Sequence, residues 1–346
     1  MTQAHEASVL NGIQILRAMA ALGVVLFHSA IYMRGVRELT PFVDFFTRNF
    51  GQGVMLFFAI SGFVLWPAAD RPKPLRFLKR RLVRIYPPFL LCCILALSMK
   101  WALHIGSYDL VGTLKAVSLL PFGPIPYPLS VEWSLVYEMF FYWVLFILCF
   151  IVRARTRQWL LAVWCVFLIA CALVIPQATV SLPTIDQIAL SAFSLPFVMG
   201  ALFRILYDRL QITKAPSSPI YLAMLGGAFG CLAIAHWTGP LPISYLFWGL
   251  GFSVITLAAA VHPRANANAG LRLLGKWGDC SYGTYLIHFQ AVGAFVRVTQ
   301  NMGFGVNAMF VSTVMFALLV GGLFGWAEFH FHKWMTARQR PMAPSA

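Results

Sequence analysis

The sequence predicts an all-α protein, a polytopic integral membrane bundle of about ten transmembrane helices with both termini in the cytoplasm. Its 346 residues are 60% hydrophobic and only 11% charged, whereas an ordinary soluble domain has roughly 45–50% and 25%. Long runs rich in Ala, Leu and Phe favour helices over short alternating strands. We therefore expect one transmembrane domain over residues 1–346, with short cytoplasmic tails at 1–10 and 336–346.

The predicted spans are apolar runs long enough to cross a hydrocarbon core, which needs about 20 helical residues. In chain order they are Asn11–Tyr32, Gly51–Pro67, Tyr86–His104, Trp133–Val152, Trp159–Ile175, Gln187–Tyr207, Ile220–Trp237, Ile243–Val261, Ser281–Thr299 and Asn307–Phe329. No basic segment or cleavage site marks the first run as a removable signal, so we expect it to remain a helix.

Charge supports this topology and excludes one class of function. The net charge of +15 is carried between the apolar runs and not on one soluble face, which argues against nucleic acid as a partner. With the N-terminus in the cytoplasm, most Lys and Arg fall on the cytoplasmic side, as the positive-inside rule requires. The segments that carry them are 71–84, 153–157, 204–214, 264–276 and 333–340.

The first span contains two residues that are unusual inside a membrane, Arg17 and His28. At about 100° and about 1.5 Å per residue, the two side chains share one face of the helix and lie about 16 Å apart. A charge at membrane depth costs roughly 2.5–3.5 kcal/mol even on insertion scales, so such residues usually face a bundle interior or a wet cavity. A lone membrane histidine often only bonds a neighbouring helix, but the shared face of Arg17 and His28 predicts an internal site.

The segment Asp70–Arg84, DRPKPLRFLKRRLVR, is the densest charge cluster and is called the basic collar below. Pro87 and Pro88 follow it, where we expect the third helix to begin. One interpretation is attraction to anionic lipid, worth about 1 kcal/mol per basic residue. The other is a phosphate clamp, because arginine binds phosphate oxygens bidentately.

On the outer side, the proline-rich stretch Leu119–Trp133 predicts a rigid loop that leads into the fourth span. Glu132 lies at the mouth of that helix, and Glu138 lies roughly 8–9 Å deeper, towards the depth of His28. Glu138 could orient His28 or bind hydroxyl groups. Glu132 and Trp133 are the candidate substrate-binding residues.

Other reactive residues do not form a recognisable centre in the sequence. The seven cysteines have no C-x-x-C spacing, so neither a disulfide framework nor a zinc site is expected. His330 and His332 form an H-x-H pair without further ligands nearby, so no metal site is predicted. Ser61 lacks a G-x-S-x-G setting, which argues against a serine nucleophile.

Several segments together resemble the acyltransferase 3 family of bacterial inner-membrane proteins. They occur in family order and span most of the chain: the first helix with Arg17 and His28, FFAISGF (57–63), FLKRRLVRIYP (77–87), VEWSLVYEMFFYW (131–143) and CSYGTYLIHF (280–289). The run Tyr137–Tyr142 and the short chain are most similar to the exopolysaccharide O-acetyltransferases. One departure concerns Glu328, which is followed by FHFHK and not by a nearby proline, so its role stays open.

The resemblance implies an enzyme that takes an acyl group, usually acetyl, from cytoplasmic acyl-CoA and transfers it to a hydroxyl of a glycan or lipid-linked sugar. It implies a central catalytic role for His28 and a supporting role for Arg17. Glu138 is a further catalytic candidate from its position in the fourth span. The residues implied to bind acyl-CoA are Arg80, Arg81 and Arg84. His288, about 11 Å into the ninth span by the helical rise, is the second candidate histidine, and we assign it to acyl-CoA binding as well. Whether His28 acts as a general base or carries the acyl group itself is left open.

Acetyl-CoA is then the expected co-substrate, and no permanently bound cofactor or metal is expected. The expected partners are the glycan or lipid-linked sugar acceptor, the lipid bilayer and polysaccharide-assembly proteins, in the bacterial cytoplasmic (inner) membrane. A transporter or flippase for a lipid-linked glycan is the alternative, because it would also need polar residues at membrane depth. The sequence lacks the paired repeats with broken helices that transporters often have. A non-catalytic scaffold would leave Arg17 and His28 unexplained.

Overall fold

The computed structural model describes residues 3–70, 73–102, 104, 109–151, 153–175, 179–210, 216–262 and 268–337. Within these ranges the regular structure is helical apart from one antiparallel bridge between Phe122 and Thr184, so the all-α prediction is confirmed. The helices are α1 (Gln3–Arg34), α2 (Pro41–Asn49), α3 (Gly53–Leu65), α4 (Pro74–Ala102), α5 (Leu110–Val117), α6 (Glu132–Leu148), α7 (Ala154–Val174), α8 (Ile185–Ile188), α9 (Leu195–Arg209), α10 (Ser218–Thr238), α11 (Ser244–Val261), α12 (Ala269–Asp279), α13 (Ser281–Thr299) and α14 (Val306–Ala337), with short 3₁₀ helices at Trp66–Asp70 and Ala192–Ser194.

Seven stretches of the described chain are long and apolar enough to cross a membrane. They are Val9–Arg34, Pro41–Ala69, Pro74–Ala102, Ala154–Val174, Ser218–Thr238, Ser244–Val261 and Val306–Met335. The chain is therefore a membrane protein built from several apolar helices. Of the other three predicted spans, two correspond to shorter helices, α6 with 17 residues and α9 with 15, and the third, Ser281–Thr299, corresponds to α13 with 19 residues. The count of about ten spans and the cytoplasmic location of both termini stay predictions.

The expected start of the third span was wrong. Helix α4 begins at Pro74, so Pro87 and Pro88 lie inside it and do not mark its first turn. Proline lacks an N–H, so the carbonyl groups of Val83 and Arg84 lose their usual helical donors, yet the helix continues on both sides. The basic collar is consequently helical over most of its length, which fixes the relative directions of its arginines.

The span predicted at Gln187–Tyr207 was also wrong as one continuous helix. The structure divides it into α8, the 3₁₀ helix at Ala192–Ser194 and α9. The Ser191 hydroxyl accepts a hydrogen bond from the Phe193 N–H at this break, and Pro196 occupies the first turn of α9. A serine cap and a first-turn proline favour a new helix start over a continuous helix.

Some predicted features lie outside the described residues. These are Arg71, Val152, Lys214, Arg264, Arg338 and Arg340, together with the outermost parts of the two tails, 1–2 and 338–346.

Close backbone contacts hold the interior helices around α1. A Cβ atom added to Gly62 on α3 would lie 1.9 Å from the Phe197 carbonyl oxygen of α9, and one added to Gly200 would lie 2.0 Å from that of Ala59. Glycine is therefore needed at both positions, as is common where membrane helices approach closely. Helix α1 itself contacts α2, α3, α11, α12, α13 and α14, which puts its polar face inside the bundle.

Two ends of the bundle can be distinguished. The collar end contains the start of α4, the 3₁₀ helix at Trp66–Asp70 and the end of α6, where the Cys149 thiol donates to the Ala68 carbonyl oxygen. The opposite end contains the loop before α6, where Lys100 donates to the Pro128 carbonyl oxygen. Arg17 is nearer the collar end of α1, and His28 is nearer the opposite end.

Cysteine accessibility should report these two ends as the two sides of the membrane. We expect Arg155→Cys and Lys276→Cys to be labelled from the cytoplasm and Phe122→Cys from outside, because basic loops remain cytoplasmic. All three residues are exposed, and the seven native cysteines would first be replaced. Labelling of Phe122→Cys and Arg155→Cys from the same side would contradict the topology.

Candidate active site

A cavity of about 430 Å³ extends into the bundle from its collar end. Its walls come from α1, α3, α4, α6, α9 and α13. At the collar end they include Leu10, Pro67 and Arg81, and at the inner end they include Ser134 and Tyr285. The volume lies in the range of about 300–1,000 Å³ that is usual for small-molecule sites.

Four arginines line this cavity: Arg17, Arg81, Arg84 and Arg204. Arg81 and Arg84 lie three residues apart on α4 and therefore share one face of that helix. The Arg81 guanidinium lies 6.0 Å from the ring centroid of Tyr142, and that of Arg84 lies 5.4 Å from Tyr282. The collar end of the cavity is therefore strongly positive and bordered by aromatic rings.

Carboxylates from three helices oppose this positive charge. Arg84 forms a buried ion pair with Glu328 of α14. Arg17 interacts electrostatically with Glu138 of α6 and Asp279 of α12. Burial raises the pKa of Asp279, while the positive charges of Arg17 and Arg84 act in the opposite direction. The network ties α1 and α4 to the surrounding helices at the collar end.

Glu138 interacts with residues of the collar half of the bundle. Its Oε1 accepts a hydrogen bond of 2.5 Å from the Tyr142 hydroxyl. Arg17 in turn donates to Gln14 over 3.4 Å, and Gln14 donates to Asp279 over 2.5 Å. The described contacts of Glu138 are thus with Tyr142 and Arg17, and its role in orienting His28 or binding acceptor hydroxyls stays a prediction.

A second cavity of about 290 Å³ adjoins the first at the collar end. Arg17, Arg81 and Arg84 line both cavities, and Arg80 lines only the second. Asp279, Phe329 and His332 complete its wall, with Gln14 and Val83. Each of the three collar arginines named as acyl-CoA candidates thus lines at least one of the two cavities.

His28 and His288 meet in the bundle interior, beyond the inner end of the first cavity. His28 Nδ1 lies 2.8 Å from His288 Nε2, although 260 residues separate them in the chain. His288 is fully buried at 0% exposure, whereas His28 is half-buried. His28 is thus the member of the pair with accessible surface.

A pair of hydroxyl groups separates the histidines from the cavity. The Tyr285 hydroxyl lies 2.5 Å from Ser134 Oγ, and both residues line the cavity. On its other side, the Tyr285 ring has its centroid 5.7 Å from that of His288. One aromatic side chain therefore stands between the arginine-lined cavity and the histidine pair.

The two candidate substrate-binding residues lie apart from both cavities. Glu132 is 0% exposed, and its Oε1 accepts a hydrogen bond of 2.5 Å from the Leu129 N–H. The Trp133 ring packs against Phe58 and Phe193. In this structure Glu132 thus stabilises the loop before α6.

Sequence reasoning missed several polar residues of the site. Gln14, Tyr142 and Asp279 were not identified, and Glu328 was left without a role. The sequence did contain a signal for the carboxylates, because a charged acidic residue within or beside a membrane-spanning run costs free energy unless a partner is near. The identity of each partner required the structure.

An apolar helical bundle with a polar cavity and interacting histidines in its interior has the features of an integral membrane enzyme. Residues 10–330 match the family model described as an acyltransferase domain. The chain belongs to this acyltransferase 3 family, which confirms the resemblance of its motifs, and it is an O-acyltransferase of the membrane.

Two relatives are similar over most of the chain. The exopolysaccharide production protein ExoZ of Rhizobium meliloti (strain 1021) is 30% identical over 290 residues, which cover 78% of this chain and 85% of that protein. The acyltransferase MdmB of Streptomyces mycarofaciens is 24% identical over 333 residues, which cover 84% of this chain and 82% of that protein. No solved structure matches the chain significantly.

Proposed function

We propose that this membrane acyltransferase takes an acetyl group from cytoplasmic acetyl-CoA and transfers it to a hydroxyl group of a cell-surface polysaccharide or lipid-linked sugar. The enzyme would act in the bacterial cytoplasmic membrane. The observation that carries the proposal is a single cavity that extends from Arg81 and Arg84 at the collar to the hydroxyl pair of Ser134 and Tyr285, next to which His28 and His288 contact each other.

The collar half of the cavity suits acetyl-CoA, the acetyl donor. CoA carries phosphate groups, which bind arginine through charge-assisted and often bidentate hydrogen bonds. Arg80 and Arg81 make no ion pair with a carboxylate among the described residues, so their charge is available to an anionic ligand. Beyond them the cavity wall becomes apolar at Phe57, Phe58 and Leu135, which suits the thin pantetheine arm.

The inner half suits the chemistry. The acceptor hydroxyl would give its proton to His28 while its oxygen attacks the thioester carbonyl carbon. A carbon–oxygen bond forms and the carbon–sulfur bond breaks, and the thiolate of CoA then takes the proton from His28. Histidine suits both transfers because its ordinary pKa is near 6.5.

The acceptor class is inferred from the relatives and from accessibility. The similar ExoZ protein is named for exopolysaccharide production. His28 is near the end of α1 opposite the collar and keeps part of its surface accessible. A glycan hydroxyl arriving from that side and a thioester arriving from the collar would meet at one imidazole.

The experiment uses membrane vesicles that contain the chain, radiolabelled acetyl-CoA and the polysaccharide fraction of cells that lack it. We expect base-labile radiolabel in the polysaccharide and a mass difference of one acetyl group between surface glycans made with and without the chain. Unlabelled, unchanged glycans would overturn the proposal. Movement of a lipid-linked glycan across the membrane without acetylation would favour a flippase.

The collar provides a separate binding prediction. Arg80→Ala and Arg81→Ala should each weaken acetyl-CoA binding by roughly 1.5–3 kcal/mol per lost charge-assisted hydrogen bond. Lysine at either position should restore only part of the affinity, because it cannot bind phosphate bidentately as arginine does. Equilibrium binding to purified protein measures this. Arg76→Ala is the matched control, since Arg76 is an exposed residue of the same helix that lines neither cavity. If all variants bound acetyl-CoA with the affinity of the wild type, the remaining role of the collar arginines would be attraction to anionic lipid.

A further inference from the structure

The contacts of His288 determine which nitrogen of His28 carries a hydrogen atom. His288 Nδ1 lies 2.6 Å from the Tyr285 carbonyl oxygen, and His288 Nε2 lies 2.8 Å from His28 Nδ1. The two contacts link the backbone of α13, through the His288 ring, to the imidazole of His28 on α1.

Only one arrangement of hydrogen atoms satisfies both contacts with neutral imidazoles. A carbonyl oxygen only accepts hydrogen bonds, so His288 Nδ1 must carry the hydrogen. A neutral imidazole has one N–H, so His288 Nε2 has a lone pair and accepts. His28 Nδ1 is then the donor, and the lone pair of His28 lies on Nε2.

We propose that His288 is a positioning residue that holds His28 in the tautomer with hydrogen on Nδ1 and the lone pair on Nε2. This inference rests on the proposed function, in which His28 accepts the proton of the sugar hydroxyl. With the tautomer fixed in advance, Nε2 is always the nitrogen able to take that proton.

The surroundings keep this geometry rigid. His288 is fully buried, so water does not compete for its nitrogens. The rings of Phe27 and Phe289 meet that of His28 nearly edge to face, with centroids 5.2 and 5.5 Å away. Packing on both sides limits rotation of the imidazole and keeps Nδ1 directed at His288.

The hydrogen bond between His28 and His288 also stabilises the protonated form of His28. When Nε2 accepts the hydroxyl proton, His28 becomes a cation whose Nδ1–H still donates to His288 Nε2. That hydrogen bond becomes charge-assisted and therefore stronger. His288 would thus stabilise the cation without exchanging a proton itself, and the proton on Nε2 leaves later with the thiolate of CoA.

The test compares His288→Gln with His288→Asn. The Oε1 atom of glutamine occupies about the position of the imidazole Nε2 and can accept from His28, whereas the shorter asparagine amide cannot reach it. We expect His288→Asn to lose about 10²-fold or more in transfer rate with unchanged acetyl-CoA affinity, as when the orienting partner of a catalytic histidine is lost. His288→Gln should recover at least ten-fold of that loss.

A spectroscopic measurement tests the inference apart from activity. In ¹⁵N-histidine-labelled protein, His28 should show a protonated Nδ1 and an unprotonated Nε2, with its signals assigned by their loss in His28→Asn. His288→Gln should retain this pattern, and His288→Asn should show a mixture of tautomers. Because it needs no acceptor, this readout stands even if the proposed reaction is wrong.

Three results would overturn the inference. The first is a wild-type His28 with its hydrogen on Nε2. The second is a folded His288→Asn variant with the wild-type tautomer and rate. The third is equal losses in His288→Gln and His288→Asn while both keep the melting temperature of the wild type, which would assign His288 a role other than positioning.

Discussion

Replacing His28 with alanine is expected to lower the rate of acetyl transfer by roughly 10²–10⁴-fold if His28 is the general base. The protein should still insert and bind acetyl-CoA, because His28 is not part of the wall of the arginine-lined cavity. If His28 instead carries the acetyl group, the loss should be more complete, and a labelled acetyl-imidazole should be trapped when acceptor is withheld. Transfer of radiolabel to polysaccharide measures the rate.

Two variants make this prediction specific. His236→Ala removes an exposed histidine of α10 and should leave transfer unchanged. Arg17→Ala should affect acetyl-CoA affinity or folding as well as rate, since Arg17 belongs to the network of carboxylates at the collar end. A His28→Ala variant that acetylates nearly normally, with His288→Ala inactive, would show that His288 is the reacting histidine.

Breaking the buried ion pair between Arg84 and Glu328 is expected to destabilise the protein by about 3–5 kcal/mol. The side chains are 18% and 2% exposed, so Arg84→Met leaves the Glu328 carboxylate buried without its counter-charge. Its other oxygen, Oε2, already has no hydrogen-bond partner among the residues described. Unfolding by denaturant in mixed micelles measures the difference.

The double variant Arg84→Met/Glu328→Leu separates stability from ligand binding. With both charges removed, stability should return close to that of the wild type, because apolar residues often replace a buried ion pair without loss. If Arg84 also binds CoA phosphates, the double variant should be stable but bind acetyl-CoA weakly. Wild-type stability in Arg84→Met alone would show that the pair does not connect α4 to α14.

The helical fold was predictable because lipid removes most alternatives. A backbone in hydrocarbon must satisfy its hydrogen bonds internally, so a long apolar run becomes a helix almost wherever it occurs. Hydrophobicity reports only the part of a helix within the bilayer, however. That is why α4 extends back to Pro74, through basic residues with good helix propensity, although its apolar run begins near Tyr86.

Part of the site was predictable for a related reason. Spacing within one helix determines which residues share a face, so Arg17 and His28 could be assigned to the interior from the sequence. Spacing carries no information about which residue of another helix is met there. His288 was a separate candidate, and only the packing of α13 on α1 brings it to 2.8 Å from His28.

The conformation of the loop before α6 could not be predicted from the sequence. Glu132 lies at the start of α6, as expected, but only the structure shows that the loop before α6 folds back so that the Leu129 N–H donates to its carboxylate. The neighbouring Ser130 has a φ of +67°, a conformation that few non-glycine residues adopt. Such a turn depends on the surrounding contacts as well as on the local residues.

By itself, the amino-acid sequence determined the apolar helices, the charge asymmetry and the interior face of the first helix, because each of these follows from composition or from periodicity along one segment. The family followed from the resemblance of several motifs, which the match over residues 10–330 confirms. The tertiary structure alone decided the partners: Glu328 for Arg84, Tyr142 for Glu138 and His288 for His28. The physical reason is that hydrogen bonds and ion pairs act over about 3 Å, and the residues that come so close are brought together by helix packing over the whole chain.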